Sequence, residues 1–151
     1  MATSSIISLL KKDHQEVSSL LKEALATTER AHDKRTTLFT KITAALAAHM
    51  RFEEENIYPI LLDQRDSKDD ALEAEEEHAQ IKRLVADISA TDVTDERWKA
   101  KLTVLAEDIH HHVKEEESPG GLFDEVKKKV DDDELAELAD HYEAEKAANV
   151  S

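Results

Sequence analysis

The chain has no cysteine, and its 151 residues include only two glycines and two prolines. Without cysteine there is no disulfide, thiolate metal site, iron–sulfur cluster or thiol nucleophile. Any metal must then be held by histidine, carboxylate and water. So few glycines and prolines leave little turn chemistry for β-hairpins. Aromatic residues make up 4% of the chain, and no apolar run approaches the length of a membrane span. Met1 to Ser5 has neither the basic nor the apolar region of a signal peptide, so a cytoplasmic protein with no membrane partner is expected. Positive charge is also short: 20 Lys and Arg face 35 Asp and Glu, a net charge of −15. That balance argues against binding to nucleic acid phosphates.

Alanine, leucine, glutamate and lysine are abundant, and these residues favour helix. An all-α fold follows, with residues 1–151 expected to form one domain around a single core. The apolar register predicts a first helix capped by Thr3 or Ser4 and running to about Thr28, with Ile7, Leu10, Val17 and Leu21 facing inward. A second starts near Asp33, carries Leu38, Ile42 and Ala45, and ends near Pro59, whose nitrogen cannot donate to the helix ladder. After a polar connection from Asp63 to Asp70, a third shows Ile81, Val85 and Ile88 in one row. A loop from Ser89 to Asp95 precedes a fourth helix with Trp98, Leu102, Leu105 and Ile109. Ser118-Pro119-Gly120-Gly121 breaks that helix. A short segment with Leu122, Phe123 and Val126 then leads to a last helix from about Asp131. Helices of roughly 20 to 28 residues joined by short connections predict an up-down-up-down antiparallel four-helix bundle with an additional C-terminal helix.

Each of the four apolar stripes is interrupted, in phase, by a histidine: His14, His49, His78 and His112. Two of them are followed one turn later, on the same face, by a glutamate, Glu53 and Glu116. A lone histidine on an apolar face is commonly a hydrogen-bonded core residue. Two inward carboxylates are harder to accommodate. An ionised carboxylate in an apolar interior is strongly penalised unless paired, and no in-phase Lys or Arg accompanies either one. Four neutral imidazoles and two carboxylates around two divalent cations resolve both problems, with a carboxylate bridging the ions and exchangeable positions left for a small ligand. Iron, zinc, manganese and nickel all suit this donor set.

The other histidines act as an internal control. His110 and His111 lie about 200° and 100° around the helix from His112, His32 falls in a connection, and His141 sits on a flank. All four are expected to face solvent or to support the site from outside. Glu54, Glu55, Glu75 and Glu117 read as solvated faces, with Glu75 alone placed to approach a metal, three residues before His78. Tyr58, Tyr142 and Trp98 read as packing aromatics, with electron transfer as the alternative.

Taken in order, Asp13-His14, the string from His49 to Pro59, Glu77-His78 and the run from His111 to Glu117 resemble the hemerythrin-like proteins with a histidine–histidine–glutamate cation-binding domain. The resemblance spans roughly Ile6 to Lys146. It implies a non-haem di-iron centre, carboxylate- and oxo- or hydroxo-bridged, held by His14, His49, Glu53, His78, His112 and Glu116, with the glutamates as bridges. Zinc or manganese would fit the same ligands. The chain departs from oxygen-carrying hemerythrins where a second histidine precedes the ligand matching His78: Ala74 stands there, so one metal is expected to be less fully ligated. Those carriers also follow the fourth-helix histidine with an aspartate at five residues, where this chain has Glu117, preceded by Glu116 at four. This is closer to the four-histidine, two-glutamate variant of iron-sensing members. The Pro-Gly-Gly sequence interrupts the usual ending of the last motif and predicts a bend.

Three functions follow from the resemblance. The first is binding of a small ligand (dioxygen, nitric oxide or peroxide) for sensing or for handling oxidative and nitrosative stress. The second is a di-iron enzyme with catalase- or peroxidase-like activity. The third is a metal-buffering or structural bundle.

Overall fold

The computed structural model describes residues 5–150 and is helical throughout the elements it forms. The first helix, α1 (Ile6–Leu25), begins at Ser5, whose hydroxyl accepts a hydrogen bond from the Ile7 N–H at 3.1 Å. The cap expected from Thr3 or Ser4 lies outside the described residues. Helix α2 (His32–Phe52) includes His32, expected in the connection, as its exposed first residue. It passes into a π turn, Glu53–Ile57, and then into α3 (Tyr58–Leu62). The second arm of the bundle therefore runs past Pro59, where the sequence suggested it would end. Proline is tolerated there because it occupies the first turn of α3, where an N–H has no helical partner to lose.

Helix α4 (Lys68–Ser89) and helix α5 (Glu96–Glu117) complete the four arms, α5 being capped by Asp95 through the Arg97 N–H at 2.8 Å. The short α6 (Leu122–Lys129) and the longer α7 (Asp132–Val150) follow. In the bundle α1 packs between α2 and α5, α4 packs on α5 and α3, and α7 lies along α1. The Pro-Gly-Gly bend appears where expected: Gly120 has φ +78°, and a Cβ on Gly121 would meet the Glu115 carbonyl oxygen at 2.3 Å. Only glycine at 121 lets the chain turn this tightly against the end of α5. The turn directs Phe123 onto His14, their rings stacked at 5.7 Å.

The core is divided. One apolar cluster takes Ile6, Leu10, Phe52, Tyr58, Leu61, Ala74, Phe123 and Tyr142; the other takes Val17, Leu21, Ile42, Leu46, Ile81, Trp98, Leu105 and Ile109. His14, His49, His78 and His112 fall between them on their helices, so a polar layer crosses the bundle between two apolar ones. At the far end Arg35 is buried, a cation that no pattern in the sequence marks as internal. Its guanidinium donates to the Thr27 hydroxyl at 2.9 Å and to the Val93 carbonyl at 2.7 Å, and it lies 4.6 Å over the Trp98 ring. This buried cation ties together the loops that follow α1 and α4.

Candidate metal centre

All six residues singled out from the sequence meet in the polar layer. The donor atoms fall into two groups that share Glu53: His14, His49, Glu53 and Glu116 form one, and Glu53, His78 and His112 the other. His49 Nε2 and His78 Nε2 each lie 3.2 Å from Glu53 Oε1. Glu116 reaches His14 Nε2 at 3.2 Å with Oε1 and His112 Nε2 at 3.3 Å with Oε2. The His14–His49 and His78–His112 pairs bring their Nε2 atoms to 3.2 and 3.1 Å. Donors about 2.1 Å from one ion stand about 3.0 Å apart at octahedral angles and about 3.4 Å at tetrahedral ones, so these spacings suit two first-row cations.

Two further observations test that fit. Glu53 Oε2 and Glu116 Oε1 are buried without a hydrogen bond, the latter despite its approach to His14. Buried carboxylate oxygens normally have a partner, and a cation supplies one. In addition, each imidazole turns Nε2 inward and meets a carboxylate with Nδ1: Glu117 on His14 at 2.5 Å, Asp13 on His49 at 2.9 Å, Glu54 on His78 at 2.8 Å and Glu77 on His112 at 2.6 Å. A carboxylate on the outer nitrogen sets the tautomer, aims the ring and raises its basicity, which is how metal-binding histidines are held.

These four carboxylates are the main feature that sequence reading missed. Glu117 is exposed as expected but also holds His14, whereas Glu54, expected on a solvated face, is half-buried against His78. The spacing of the four explains why they were missed. The acids sit beside ligands in sequence but support histidines on other helices, so no single-helix periodicity reveals them. Asp13, next to His14, supports His49 instead, and is itself held by the Lys146 ammonium at 2.6 Å and the Tyr142 hydroxyl from α7. Glu54 is likewise held by Lys82 at 2.8 Å. Glu75 joins no such cluster among the described residues, and Glu55 pairs with Arg51 at 3.1 Å.

Tyr58 does more than pack as an aromatic, because its hydroxyl reaches the buried imidazoles and carboxylates. It donates to Glu116 Oε2 at 2.7 Å and lies 3.2 Å from Glu53 Oε1, 3.1 Å from His78 Nε2 and 3.2 Å from His112 Nε2. The π turn makes this reach available. Tyr58 donates its backbone N–H to the Glu53 carbonyl, five residues back, and the wider turn swings residue 58 toward the face of Glu53. Ala74, where a histidine stands in oxygen carriers, shares the Tyr58 cluster. The Tyr58 hydroxyl reaches His78, which lies one turn after Ala74 on α4.

The remaining histidines stay outside. His32 and His110 are exposed, His141 pairs with Glu145 at 3.3 Å, and His111 pairs with Glu115 at 3.0 Å. Trp98 belongs to the other apolar cluster, under Arg35.

Electrostatics in the metal-free protein follow the same geometry. Burial lowers the pKa of His49, but the Glu53 charge and the Asp13 hydrogen bond outweigh it and carry it up to about 10. Burial likewise opposes protonation of His112, yet Glu116 above all lifts it well above the usual histidine value. Burial raises Glu53, while the His49 charge and three imidazole hydrogen bonds hold it well below the ordinary range. Burial and the charges of Glu53 and Glu116 push the Tyr58 hydroxyl well above the usual tyrosine value. In the absence of cations the upward shifts of His49 and His112 favour their protonated forms beside the ionised Glu53.

Beside the centre is a cavity of about 20 Å³ lined by the four histidines and by Val17, Leu46, Met50, Ile81, Ile109 and Val113. A single water needs roughly 10 to 15 Å³, so this space suits one small molecule in apolar surroundings. An open groove of about 300 Å³ between α1 and α5 shares His14, Ile109 and Val113 with it.

Paired imidazoles and carboxylates drawn from four arms define a cation-binding helical bundle. The family model for the hemerythrin HHE cation-binding domain matches residues 5–119, and the chain belongs to that family. It is similar to a hemerythrin HHE cation-binding domain-containing protein from Mycobacterium kansasii, with a TM-score of 0.77 at 23% identity over 96% of this chain and 85% of that one. That likeness extends through α6 and α7, beyond the family match, and concerns the fold. The chain is also similar to a DNA nickase from Nostoc sp., 27% identical over 145 residues. The match takes in 95% of this chain and 39% of the nickase, so the chain spans about two fifths of that relative's length. No helix among the described residues is long and apolar enough to cross a membrane.

Proposed function

We propose that the chain is a non-haem di-iron protein that binds dioxygen, nitric oxide or peroxide, serving in sensing or in handling oxidative and nitrosative stress. His14 and His49 would hold one iron and His78 and His112 the other, with Glu53 and Glu116 within reach of both histidine pairs. Tyr58 would offer a further oxygen donor beside His78 and His112, where Ala74 of α4 offers none. The observation that carries this reading is the pair of donor groups sharing Glu53 beside a cavity of about 20 Å³ with an apolar wall. When bound, the two irons supply one- and two-electron redox chemistry and exchangeable positions for a small ligand. The chain's own part is to aim four Nε2 atoms through carboxylates on Nδ1, to exclude bulk water with Val17, Leu46, Ile81 and Ile109, and to admit small molecules from the α1–α5 groove.

The test is metal content of protein from iron-replete cells, followed by reduction and exposure to each gas or to peroxide under anaerobic control. Two irons per chain and a ligand-dependent change in the near-ultraviolet and visible spectrum are expected. Zinc or manganese at that stoichiometry, or a spectrum indifferent to all three, overturns the reading. Tyr58→Phe distinguishes a phenolate donor from a packing ring: it removes any phenolate-to-iron band while leaving the iron count within one of wild type.

Tyr58 also favours a second reading, a catalase- or peroxidase-like enzyme, because an oxidisable phenol lies within 3.2 Å of both glutamates and of His78 and His112. Oxygen release from peroxide that scales with iron and disappears in His112→Ala and Tyr58→Phe supports turnover. The nickase activity of the Nostoc relative is not carried over: the matched region is 39% of that protein, and a net charge of −15 opposes phosphate binding.

A further inference from the structure

Helix α7 carries an apolar stripe in which Leu135, Ala139 and Tyr142 are buried at steps of four and three residues. The next step of four arrives at Lys146, where a leucine would close the stripe. Both polar departures from that pattern end on one carboxylate. The Tyr142 hydroxyl donates to Asp13 Oδ2, the oxygen that also accepts from His49 Nδ1 at 2.9 Å, and the Lys146 ammonium donates to Asp13 Oδ1 at 2.6 Å. A buried aspartate with a merely structural role is satisfied by fewer donors than this. Here α7 takes hold of both oxygens, so the carboxylate can neither rotate nor withdraw from His49. The same helix also reaches the start of the π turn. The Tyr142 ring lies 4.6 Å from that of Phe52, the residue before Glu53, and Lys146 lies 4.4 Å over the Tyr142 ring. Glu54, by contrast, takes its cation from within the four arms, through Lys82 of α4.

We propose that Tyr142 and Lys146 are positioning residues of the centre, so that docking of α7 and binding of a divalent cation at His49 strengthen one another. Docked α7 fixes Asp13, and Asp13 fixes the tautomer and the orientation of His49 with Nε2 turned inward. A cation on Nε2 in turn holds the ring, and through it the carboxylate, in the place where α7 docks. By linkage the two effects are equal: whatever factor α7 adds to cation affinity, the cation adds to α7 docking. A carboxylate behind a metal-binding histidine is worth about 10- to 100-fold in affinity, and α7 holds that carboxylate without replacing it, so its share is about 3- to 10-fold. Only one part of the di-iron reading is needed here: His49 must ligate a divalent cation, whichever ion that is, and no gas or peroxide chemistry enters. Lys146 is partly exposed and adds little to stability, which separates its effect on the cation from its effect on folding.

Zn²⁺ is bound to metal-free protein in competition with a chelator, and amide exchange of α7 is followed by mass spectrometry with and without the ion. Wild type is expected to bind Zn²⁺ and then to exchange its α7 amides about 3- to 10-fold more slowly. Lys146→Met and Tyr142→Phe should each weaken Zn²⁺ binding by about 3- to 10-fold, and Lys146→Arg, which keeps the charge beside Asp13, should retain most of the affinity. Val126→Ala opens the apolar cluster that holds Tyr142 without removing a polar contact, and should lower stability in urea while leaving Zn²⁺ affinity as it was. Exchange in α7 that ignores bound Zn²⁺, folded variants that bind it as wild type does, or a Val126→Ala protein that loses as much affinity overturns the coupling. So does a wild type that takes up no Zn²⁺. If Tyr142→Phe does not fold, Lys146→Met carries the test. A chain that shows the coupling with Zn²⁺ but holds no iron overturns the di-iron reading alone, and one that holds two irons without the coupling overturns the coupling alone.

Discussion

Asp13 is the residue through which the extra helix and the centre are connected, and Asp13→Ala separates their contributions. The carboxylate accepts from His49 Nδ1 at 2.9 Å, from Lys146 at 2.6 Å and from the buried Tyr142 hydroxyl. A hydrogen bond involving a charged partner contributes about 1.5 to 3 kcal/mol, and an orphaned buried hydroxyl costs about 1 to 3 kcal/mol. Lys146 is 41% exposed and regains water, so its pairing adds little. Removing a buried carboxylate recovers part of its own desolvation penalty. The balance is a loss of about 2 to 4 kcal/mol for metal-free protein, or a fall in Tm of roughly 5 to 15 °C for a chain of this size. Loss of the acceptor on His49 also lets the imidazole turn, and carboxylates in that position are worth about 10- to 100-fold in metal affinity, roughly 1.4 to 2.7 kcal/mol. Urea unfolding of metal-free protein reads the first effect, and competition with a chelator for iron or zinc reads the second. Glu54→Ala is the matched comparison: it frees His78 in the same way but touches nothing in α7, so affinity falls with less change in stability. A folded Asp13→Ala protein whose affinity stays within about threefold of wild type would refute the argument that these carboxylates aim the ligands.

Two further outcomes follow. Arg35→Ala leaves the Val93 carbonyl and Thr27 without their donor and uncovers Trp98, and should destabilise the protein by about 2 to 4 kcal/mol in urea without altering metal stoichiometry. The metal-free protein should also lose stability as pH rises. The His49 pKa goes from 6.5 unfolded to about 10 folded, so its contribution is complete below 6.5 and disappears as pH passes through 10. Glu53, shifted down, is lost at the acid end instead, when pH falls below 4.5 and onward through its lower folded value. Urea melts of metal-free protein at pH 6, 8 and 10 test the sign, and an increase in stability toward pH 10 contradicts it.

Much of the candidate centre was legible because its six residues announce themselves against their own helices. An imidazole or carboxylate in the place of a leucine is visible wherever the apolar register is regular, as around Leu10, His14 and Val17. Pro-Gly-Gly was legible for a similar reason, since φ of +78° at Gly120 and contact with the Glu115 carbonyl are demands glycine alone meets. The end of the second arm was misjudged because proline's restriction applies inside a helix, and the π turn begins a new first turn at Tyr58.

By itself, then, the sequence determined that the protein is helical, that four helices each turn one histidine inward, and that two add a glutamate. Those are properties of periodicity within a helix, set by 3.6 residues per turn. Only the tertiary structure decided which carboxylate stands behind which imidazole, that the Tyr58 hydroxyl reaches the buried carboxylates, that α7 closes on Asp13, and that Glu77 faces both His112 and His111. These pairings cross between helices, and their registers depend on packing angles, a π turn and loop geometry that no single helix encodes.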